Sequence, residues 1–513
     1  MNMQEQIPPI LRPEHQIPVK FSQLVGEFGL ETVPPAREAM LTGISMNTND
    51  LRSGDLFVAM PGLKTHGANF VAKAIELGAS AVITDLAGLE IAGHLPVPVA
   101  VLESPRLHLG DLAAFVYGNL PKNMPLLFGI TGTNGKTSTT YIMDAILRQL
   151  GEVTGLTSTA ERHIAGEVIV SRLTTPESTE MHALIARMRE ASVDAISIEV
   201  SAQALTQHRI DGIRFDVVGF TNLSHDHLDD YGNMENYLAA KAKLFSPEKG
   251  ERGVVCLDSD FGLRFAEFAE IPIKTIATHG DADYRVVITE ESPRKTSFEL
   301  HLPDGQVIAS WVPIIGAHMA SNAGLAVAML LEAGFTAERI REAIVGGINA
   351  YLPGRTERVT GETGPDVYVD FGHSPDAFLN TLRAVRKVTK GKVIMLFGAD
   401  GDRDPSKRPA MAQVSAENCD ILVITDHHPR FEDPASIRKV LVESAREARP
   451  ELEIHEISPP EEAIRKAVAL AKEGDAILWA GPGHQDYRDI RGVRTPYSAR
   501  ALARAALKEA GWA

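Results

Sequence analysis

The stretch Gly129-Ile-Thr-Gly-Thr-Asn-Gly-Lys136-Thr137 has the clearest chemical meaning in this sequence. Its glycines let the backbone wrap closely around phosphate oxygens, and a helix starting just after it adds N–H donors and a favourable dipole. Lys136 is placed to neutralise β/γ-phosphates and the Thr137 hydroxyl to ligate Mg²⁺. The strict pattern asks for glycine six positions before the lysine, where Ile130 stands, so a plain Gly-rich strand-to-helix turn is the other reading. The lysine, the threonine and a strand-then-helix context favour nucleotide binding. Glu199 closes the apolar run Ala-Ile-Ser-Ile-Glu, and the next such run closes in Thr221-Asn-Leu-Ser-His-Asp-His227-Leu-Asp229-Asp230. A carboxylate and an imidazole at neighbouring strand ends suit Mg²⁺ bridged to ATP phosphates. Either alone reads as a satisfied loop residue; together they read as a site. Lys241, within Tyr237-Leu-Ala-Ala-Lys-Ala-Lys-Leu-Phe245, reads from its spacing as an ordinary solvent-facing helix lysine.

Elements that would position these groups follow from the pattern of apolar runs. A first segment, 1–122, carries short runs at 55–59, 81–83 and 97–102 and ends at the turn-rich Gly118-Asn-Leu-Pro121. A second, 123–352, opens with a strand over 125–130, then the Gly-rich loop and a helix over 136–150, with further strands at 195–200, 217–221 and 253–257. A third, 353–513, carries apolar runs at 367–371, 393–397, 421–425 and 476–480. Alternation of such runs with helix-like stretches predicts an α/β fold of three domains with mostly parallel sheets. In such sheets ligands sit beyond the carboxyl ends of the strands, where the polar clusters fall.

Bulk properties exclude other classes. With 513 residues, 44% hydrophobic and 23% charged, the chain has material for several cores. A formal net charge of −16 argues against nucleic acid as a partner. Cys256 and Cys419 lie far apart in no metal-type spacing, so no disulfide framework is expected. No signal peptide is read in the opening residues and no apolar stretch approaches the ~20 residues of a membrane span, so a cytoplasmic protein without membrane insertion is expected.

Taken together, Thr131-Gly-Thr-Asn-Gly-Lys-Thr137, Glu199-Val-Ser201, Asn222-Leu-Ser-His-Asp-His-Leu-Asp229 and Ala239-Ala-Lys-Ala242 resemble the Mur ligases. Leu173-Thr-Thr-Pro176, Pro353-Gly-Arg355, Val369-Asp-Phe-Gly-His-Ser-Pro-Asp376, Gly401-Asp-Arg403, Lys407-Arg-Pro409 and Gly481-Pro-Gly-His484 fit the branch that adds the third peptide residue. The resemblance covers nearly the whole chain in the expected order. It implies a UDP-binding domain, a central ATPase domain and a C-terminal Rossmann-like domain that brings the amino acid. It implies an ATP-dependent amide ligase of peptidoglycan synthesis, serving cell-wall biogenesis, cell shape and division. ATP would phosphorylate the D-glutamyl γ-carboxylate of UDP-N-acetylmuramoyl-L-Ala-D-Glu, and the amine of a diamino acid would expel phosphate. ATP contacts would come from Gly132, Thr133, Asn134, Gly135, Lys136, Thr137, Ser138, Asn322 and Arg355. Thr137 and Glu199 would hold one Mg²⁺, His227 and a carbamylated Lys241 (N6-carboxylysine) a second; Lys136, Glu199, His227 and Lys241 would be the catalytic set. Thr48, Thr174, Thr175, Ser201, Gln207 and Arg209 would bind the UDP-muramoyl dipeptide, and Arg403, His428, Arg430, Gly481 and Gln485 the amino acid. The chain is expected to act as a monomer.

Departures from the family pattern fall at three places. Ser201-Ala202-Gln203 replaces Ser-Ser-His, Thr48-Asn49 replaces Ser-Arg, and Met319 replaces a frequent Asn. The amino-acid loops read His427-His428-Pro429-Arg430 and end in Gln485, where diaminopimelate enzymes carry Asp-Asn-Pro-Arg and Glu. Arg430 favours a distal carboxylate and Gln485 removes a partner for a distal ammonium, which leaves diaminopimelate, lysine and ornithine all open. His427 and His428 read equally as surface residues. Rival readings are a folylpolyglutamate synthase or another Mur ligase, a non-catalytic nucleotide-binding paralogue, and a P-loop motor or transporter ATPase.

Overall fold

Apolar runs of four to seven residues, separated by helices, assemble into three principal sheets in the computed structural model, which describes residues 10–35, 37–226 and 228–512. His227 lies outside the described residues. The central sheet has eleven strands. Seven adjacent ones pair in parallel, in the order Thr154–Thr157, Ala195–Glu199, Leu126–Thr131, Phe215–Phe220, Gly250–Cys256, Ile273–Ala277 and Tyr284–Ser292. The parallel register sets Glu199 beside Ile130 and Phe220 beside Thr131, so the Gly-rich loop and both polar clusters leave the sheet at one edge. The expected α/β class with mostly parallel sheets is what the chain adopts.

Two antiparallel ribbons extend this sheet and were not read from the sequence. Glu161–Ile164 and Glu167–Val170 lengthen one edge; Lys295–His301 and Val307–Val312 lengthen the other. Along Lys295–His301 buried and partly exposed residues alternate, so polar side chains interrupt the apolar run that marks a strand covered on both faces.

Alternate residues of the parallel strands feed two cores. Phe128, Ile130 and Val217 pack with the helices Lys136–Gln149 and Ala317–Glu332 on one face. Leu127, Ile196, Ile198, Val218 and Phe220 pack with Ser178–Glu190 and Met234–Ala242 on the other.

The N-terminal sheet orders Glu31–Thr32, Val99–Val101, Ala81–Thr84, Asp55–Ala59 and Gly43–Ser45, parallel except at the first pairing. Its core takes in Ala183 and Ala186 of the central helix Ser178–Glu190. Asn119 donates to the His182 carbonyl at 2.8 Å, and Arg189 donates to Gly118 O and Asn119 Oδ1, each at 2.8 Å. The C-terminal sheet orders Glu357–Arg358, Asp366–Asp370, Ala476–Ala480, Val393–Phe397, Ile421–Ile424 and Glu453–Glu456, parallel except at the first pairing. Polar contacts tie it to the central part, among them Arg355 with Thr137 and Asn134 with Asp376, and Ile315 of the central part enters its core. Among the described residues no helix is long and apolar enough to cross a membrane.

Candidate active site

Phosphate chemistry requires a loop of fixed shape before a helix N-terminus, and the Gly-rich loop is held by the segment Thr221–Asn222, with Thr133 N and Asn134 N both donating to Asn222. Gly132 has φ +147°, and a Cβ there would lie 1.9 Å from Thr221 Oγ1, so only glycine fits. Thr221 Oγ1 donates to Asn134 O at 2.6 Å, while Asn222 donates to Asn134 O at 3.1 Å and accepts from Asn134 N at 3.0 Å. The helix Lys136–Gln149 starts at Gly135, whose space is closed by Asn322 from the helix Ala317–Glu332. Ser138 is buried in the first turn, and Thr133 Oγ1 accepts from Ser224 N at 3.1 Å. Lys136 Nζ folds back to donate to Gly132 O at 3.0 Å and Thr133 O at 2.9 Å. Desolvation pushes its pKa down, against the pull of Glu199 and Asp226.

Glu199, buried at the end of its strand, is the hub of the edge. Its carboxylate accepts from Thr137 Oγ1 at 2.9 Å, Thr159 N at 2.8 Å and Thr159 Oγ1 at 3.0 Å. Thr159 is a residue that the sequence reading missed; it follows the unread strand Thr154–Thr157, and no motif marks it. Thr137 Oγ1 also accepts from Arg355 Nη2 at 2.9 Å.

Lys241 corrects the expectation of a solvent-facing lysine: it is 1% exposed. Asn233 caps the helix Met234–Ala242, accepting from Asn236 N at 2.9 Å. Tyr237 and Lys241, four apart, share one face of that helix, with the ammonium 4.4 Å from the ring centroid. Lys241 Nζ donates to Gly132 O at 2.7 Å, the same carbonyl that Lys136 contacts. Burial, and then repulsion from Lys136, push the Lys241 pKa well below its ordinary value.

From the C-terminal part, Arg355 lies over the Phe371 ring at 4.5 Å and reaches Thr137. Asp376 accepts from Asn134 Nδ2 at 3.1 Å. His484 packs against Phe371 with its Nδ1 buried and without a partner among the described residues, and burial pushes its pKa down to about 4. Lys136, Thr137, Glu199, Lys241, Asn322 and Arg355 are thus brought together.

The residues expected at the muramoyl dipeptide split into two groups. Thr48 and Gln207 line one cleft of about 830 Å³, with Arg106 also on its wall. Thr174 Oγ1 donates to Thr159 Oγ1 at 3.0 Å, since the Thr159 hydrogen goes to Glu199, and Thr175 donates to Glu199 O at 2.8 Å, which ties them to the Glu199 edge. Arg209 bridges the groups, pairing with Glu177 at 2.8 Å and donating to Gln207 Oε1 at 2.6 Å. The Ser201 hydroxyl caps the helix Ala202–Thr206, accepting from Ala204 N at 3.1 Å. Of the departures, Ala202 is buried, Gln203 binds Asp230, and Met319 is buried in its helix with Sδ 3.9 Å from Asn322.

Around the ends of Val393–Phe397 and Ile421–Ile424 lie the residues expected at the amino acid. His427 and His428 are buried, not surface residues. His428 Nδ1 accepts from Asp489 N at 2.9 Å, so Nε2 carries the hydrogen and donates to Gln485 Oε1 at 2.8 Å. Arg430, at φ +49°, donates from Nη1 to Gly401 O at 2.8 Å. Gly481 N donates to Asp370 O at 2.9 Å, placing that loop beside Arg355. Arg403 is exposed and makes no side-chain hydrogen bond or ion pair among the described residues. Asp400, not singled out in the sequence, stands in their midst, 3.7 Å from both His427 Nε2 and Arg430 Nη2.

Comparison with known proteins gives this arrangement a family. Models of three domains match in chain order: "Mur ligase family, catalytic domain" over residues 40–117, "Mur ligase middle domain" over 130–330 and "Mur ligase, glutamate ligase domain" over 354–483. A UDP-N-acetylmuramyl-tripeptide synthetase of Leifsonia xyli subsp. xyli is 51% identical, covering 98% of this chain and 99% of that protein. A UDP-N-acetylmuramoyl-L-alanyl-D-glutamate–2,6-diaminopimelate ligase of Streptomyces avermitilis is 40% identical, covering 97% and 98%. A solved UDP-N-acetylmuramoyl-L-alanyl-D-glutamate–2,6-diaminopimelate ligase superposes with a TM-score of 0.66 at 25% identity, covering 96% of this chain and 100% of the other. The MurF ligase of Thermotoga maritima in complex with ADP shares the fold, with a TM-score of 0.62 at 17% identity over 91% and 96%. With all three domains matched and such relatives spanning nearly the whole chain, the protein belongs to the Mur ligase family of ATP-dependent acid–amino-acid ligases.

Proposed function

We propose that this ligase couples a diamino acid to the D-glutamyl γ-carboxylate of UDP-N-acetylmuramoyl-L-Ala-D-Glu, with ATP and Mg²⁺, as the third-residue step of peptidoglycan precursor synthesis. A carboxylate is a poor acyl donor until one oxygen becomes a good leaving group. Transfer of the ATP γ-phosphoryl to it supplies that group, and attack by the amine then forms the amide and releases phosphate. Negative charge builds on phosphoryl oxygens in the first step, where Lys136, Arg355 and the loop N–H groups stabilise it. Thr48, Gln207 and Arg209 bind the UDP-sugar end; Thr174, Thr175 and Ser201 hold the peptide end near Glu199. Arg403, His428, Arg430, Gly481 and Gln485 receive the amino acid.

Convergence of two lysines on one carbonyl oxygen, Gly132 O, is the observation that carries this reading. Two ammonium groups so close disfavour each other, and Lys241, the more buried, is the one driven towards the neutral amine. A neutral amine is what adds to CO₂: the N–C bond forms, one proton leaves, and the lysine becomes an anionic carbamate. That change replaces repulsion of Lys136 with attraction and supplies carboxylate oxygens, the donors that suit Mg²⁺. Thr137 and Glu199 offer hard oxygens for one Mg²⁺, and His227 with the carbamate would hold a second. Mg²⁺ bound there supplies charge neutralisation of the phosphates.

On this reading the enzyme acts as a cytoplasmic monomer feeding wall growth, cell shape and division. The test is phosphate release with ATP, Mg²⁺ and the UDP-muramoyl dipeptide against a panel of diamino acids. Release that needs both the dipeptide and an amino acid is expected; release with neither, or none with any, would refute it.

A further inference from the structure

Asp400 has an oxygen that the protein leaves without a partner. Its Oδ1 is shut off from solvent and accepts no hydrogen bond among the described residues. Buried polar atoms are almost always bonded, and a carboxylate oxygen the more so. None of the surrounding donors is available. His427 Nε2 stands 3.7 Å from Oδ1, beyond hydrogen-bond distance, and Arg430 Nη2 stands 3.7 Å from the other oxygen, Oδ2, as a loose ion pair. Arg430 Nη1 is spent on Gly401 O at 2.8 Å, and the hydrogen on His428 Nε2 is spent on Gln485 Oε1 at 2.8 Å. Burial opposes the charge of Asp400, but the basic groups around it, Arg430 the permanently charged one, hold its pKa below the usual carboxylate range. Asp400 Oδ1 is thus an acceptor without a donor, among residues that on the reading above receive the incoming amino acid.

We propose that Asp400 binds the side-chain ammonium of the diamino acid, and that the substrate is a diamino acid with a single carboxylate, of the lysine or ornithine type. The proposal rests on the ligase reading and narrows it. The unpaired guanidinium of Arg403 takes the α-carboxylate, leaving the α-amine to face the acyl phosphate. A second, distal carboxylate would have to dock on Arg430, whose planar fork is divided between Gly401 O and the side facing Asp400. It would be drawn against a like charge. A divalent metal is the competing occupant, since ligand atoms of Asp400, His427 and His428 lie within 4.8 Å of one another. Both ring nitrogens of His428 are engaged, so a metal there would break the bond to Asp489 N or to Gln485.

The test uses the full chain with a non-hydrolysable ATP analogue and the UDP-muramoyl dipeptide. Binding of L-lysine, L-ornithine, meso-diaminopimelate and L-norleucine is measured by titration calorimetry, and phosphate release is measured in parallel with ATP. Wild type should bind lysine or ornithine about tenfold or more tighter than norleucine or diaminopimelate, a comparison that needs no variant. Asp400→Asn should weaken the preferred ligand about 10- to 100-fold, leave norleucine unchanged and raise KM far more than it lowers kcat. Preference for diaminopimelate, or equal weakening of lysine and norleucine by Asp400→Asn, overturns the proposal while phosphate release upholds the ligase. Asp400-dependent lysine binding with no phosphate release upholds the proposal and overturns the ligase. Zn²⁺ binding that Asp400→Asn abolishes while lysine binding is untouched assigns the cluster to metal and overturns it too.

Discussion

His163 should act as an electrostatic pin whose loss with rising pH loosens the Glu199 edge. Its Nδ1 lies 3.2 Å from Asp144 Oδ2 and its Nε2 3.3 Å from Glu161 Oε2, while Tyr141 donates to the same Glu161 oxygen at 2.7 Å. Burial opposes the imidazolium, but the two carboxylates outweigh it and lift the pKa from 6.5 to about 9. The folded value lies above the unfolded one. The stabilisation is therefore fully present below about pH 6.5 and is lost as the pH rises through about 9. At 1.36 kcal/mol per unit, the difference is on the order of 3 kcal/mol, with little screening for a side chain 13% exposed. The perturbation is His163→Gln. Urea unfolding of both proteins, read by hydrogen-exchange pulse labelling of residues 144–164, would be compared at about pH 6 and about pH 9.5. The gap between them should shrink by roughly 3 kcal/mol at the higher pH. The strand carrying His163 follows directly from Thr159, which donates twice to Glu199, so the Mg²⁺ concentration needed for turnover should rise over the same window. A gap equal at both pH values would mean that the imidazole is not charged in the fold, and the reasoning would fail.

Replacing Lys241 by Ala should lower turnover about 10³-fold or more, the scale of removing a group that stabilises transition-state charge, and should abolish a ¹³C carbamate signal after incubation with ¹³CO₂. A wild-type protein showing no such signal would remove the carbamate from the mechanism. Arg355→Ala should weaken ATP binding about 10- to 100-fold, measured by calorimetry, through loss of a charged hydrogen bond and a stacked cation; unchanged affinity would confine Arg355 to packing. Gly132→Ala, forcing a Cβ to 1.9 Å from Thr221 Oγ1 at φ +147°, should lose measurable ATP binding and cost roughly 1–3 kcal/mol of stability in urea. Chelation of divalent ions should stop phosphate release, and added Mg²⁺ should restore it; release that survives chelation would exclude the proposed metal sites.

What the sequence could reveal depended on how far apart the interacting residues lie in it. The Gly-rich loop is contiguous, so its identity and its strand-to-helix setting were readable. The strand ends near Glu199 and Thr221 were readable because apolar runs mark parallel strands buried on both faces. Lys241 was misjudged from spacing because its neighbour Gly132 lies 109 positions away, and helical periodicity carries no sign of what packs against a face. Thr137 and Arg355 meet across 218 positions, a contact that no local pattern encodes. The edge ribbons escaped because a half-solvated strand looks polar. Asp400 was overlooked for a related reason: the loops that surround it, near 400, 428 and 485, meet only in three dimensions.

The seams between the parts of the molecule bear on how such an enzyme can diversify. The N-terminal sheet shares apolar core with the helix Ser178–Glu190, so a change on either side of that seam disturbs packing on the other. The C-terminal sheet meets the remainder through polar pairs such as Arg355 with Thr137 and Asn134 with Asp376, and through Ile315 in its core. Polar pairs tolerate exchange of the surrounding scaffold provided a few side chains are kept. On the proposed function the C-terminal loops are the part that receives the amino acid, so a lineage could change that substrate by rewriting a few loops near 400, 428 and 485 while the Gly-rich loop and the Glu199 edge stay as they are.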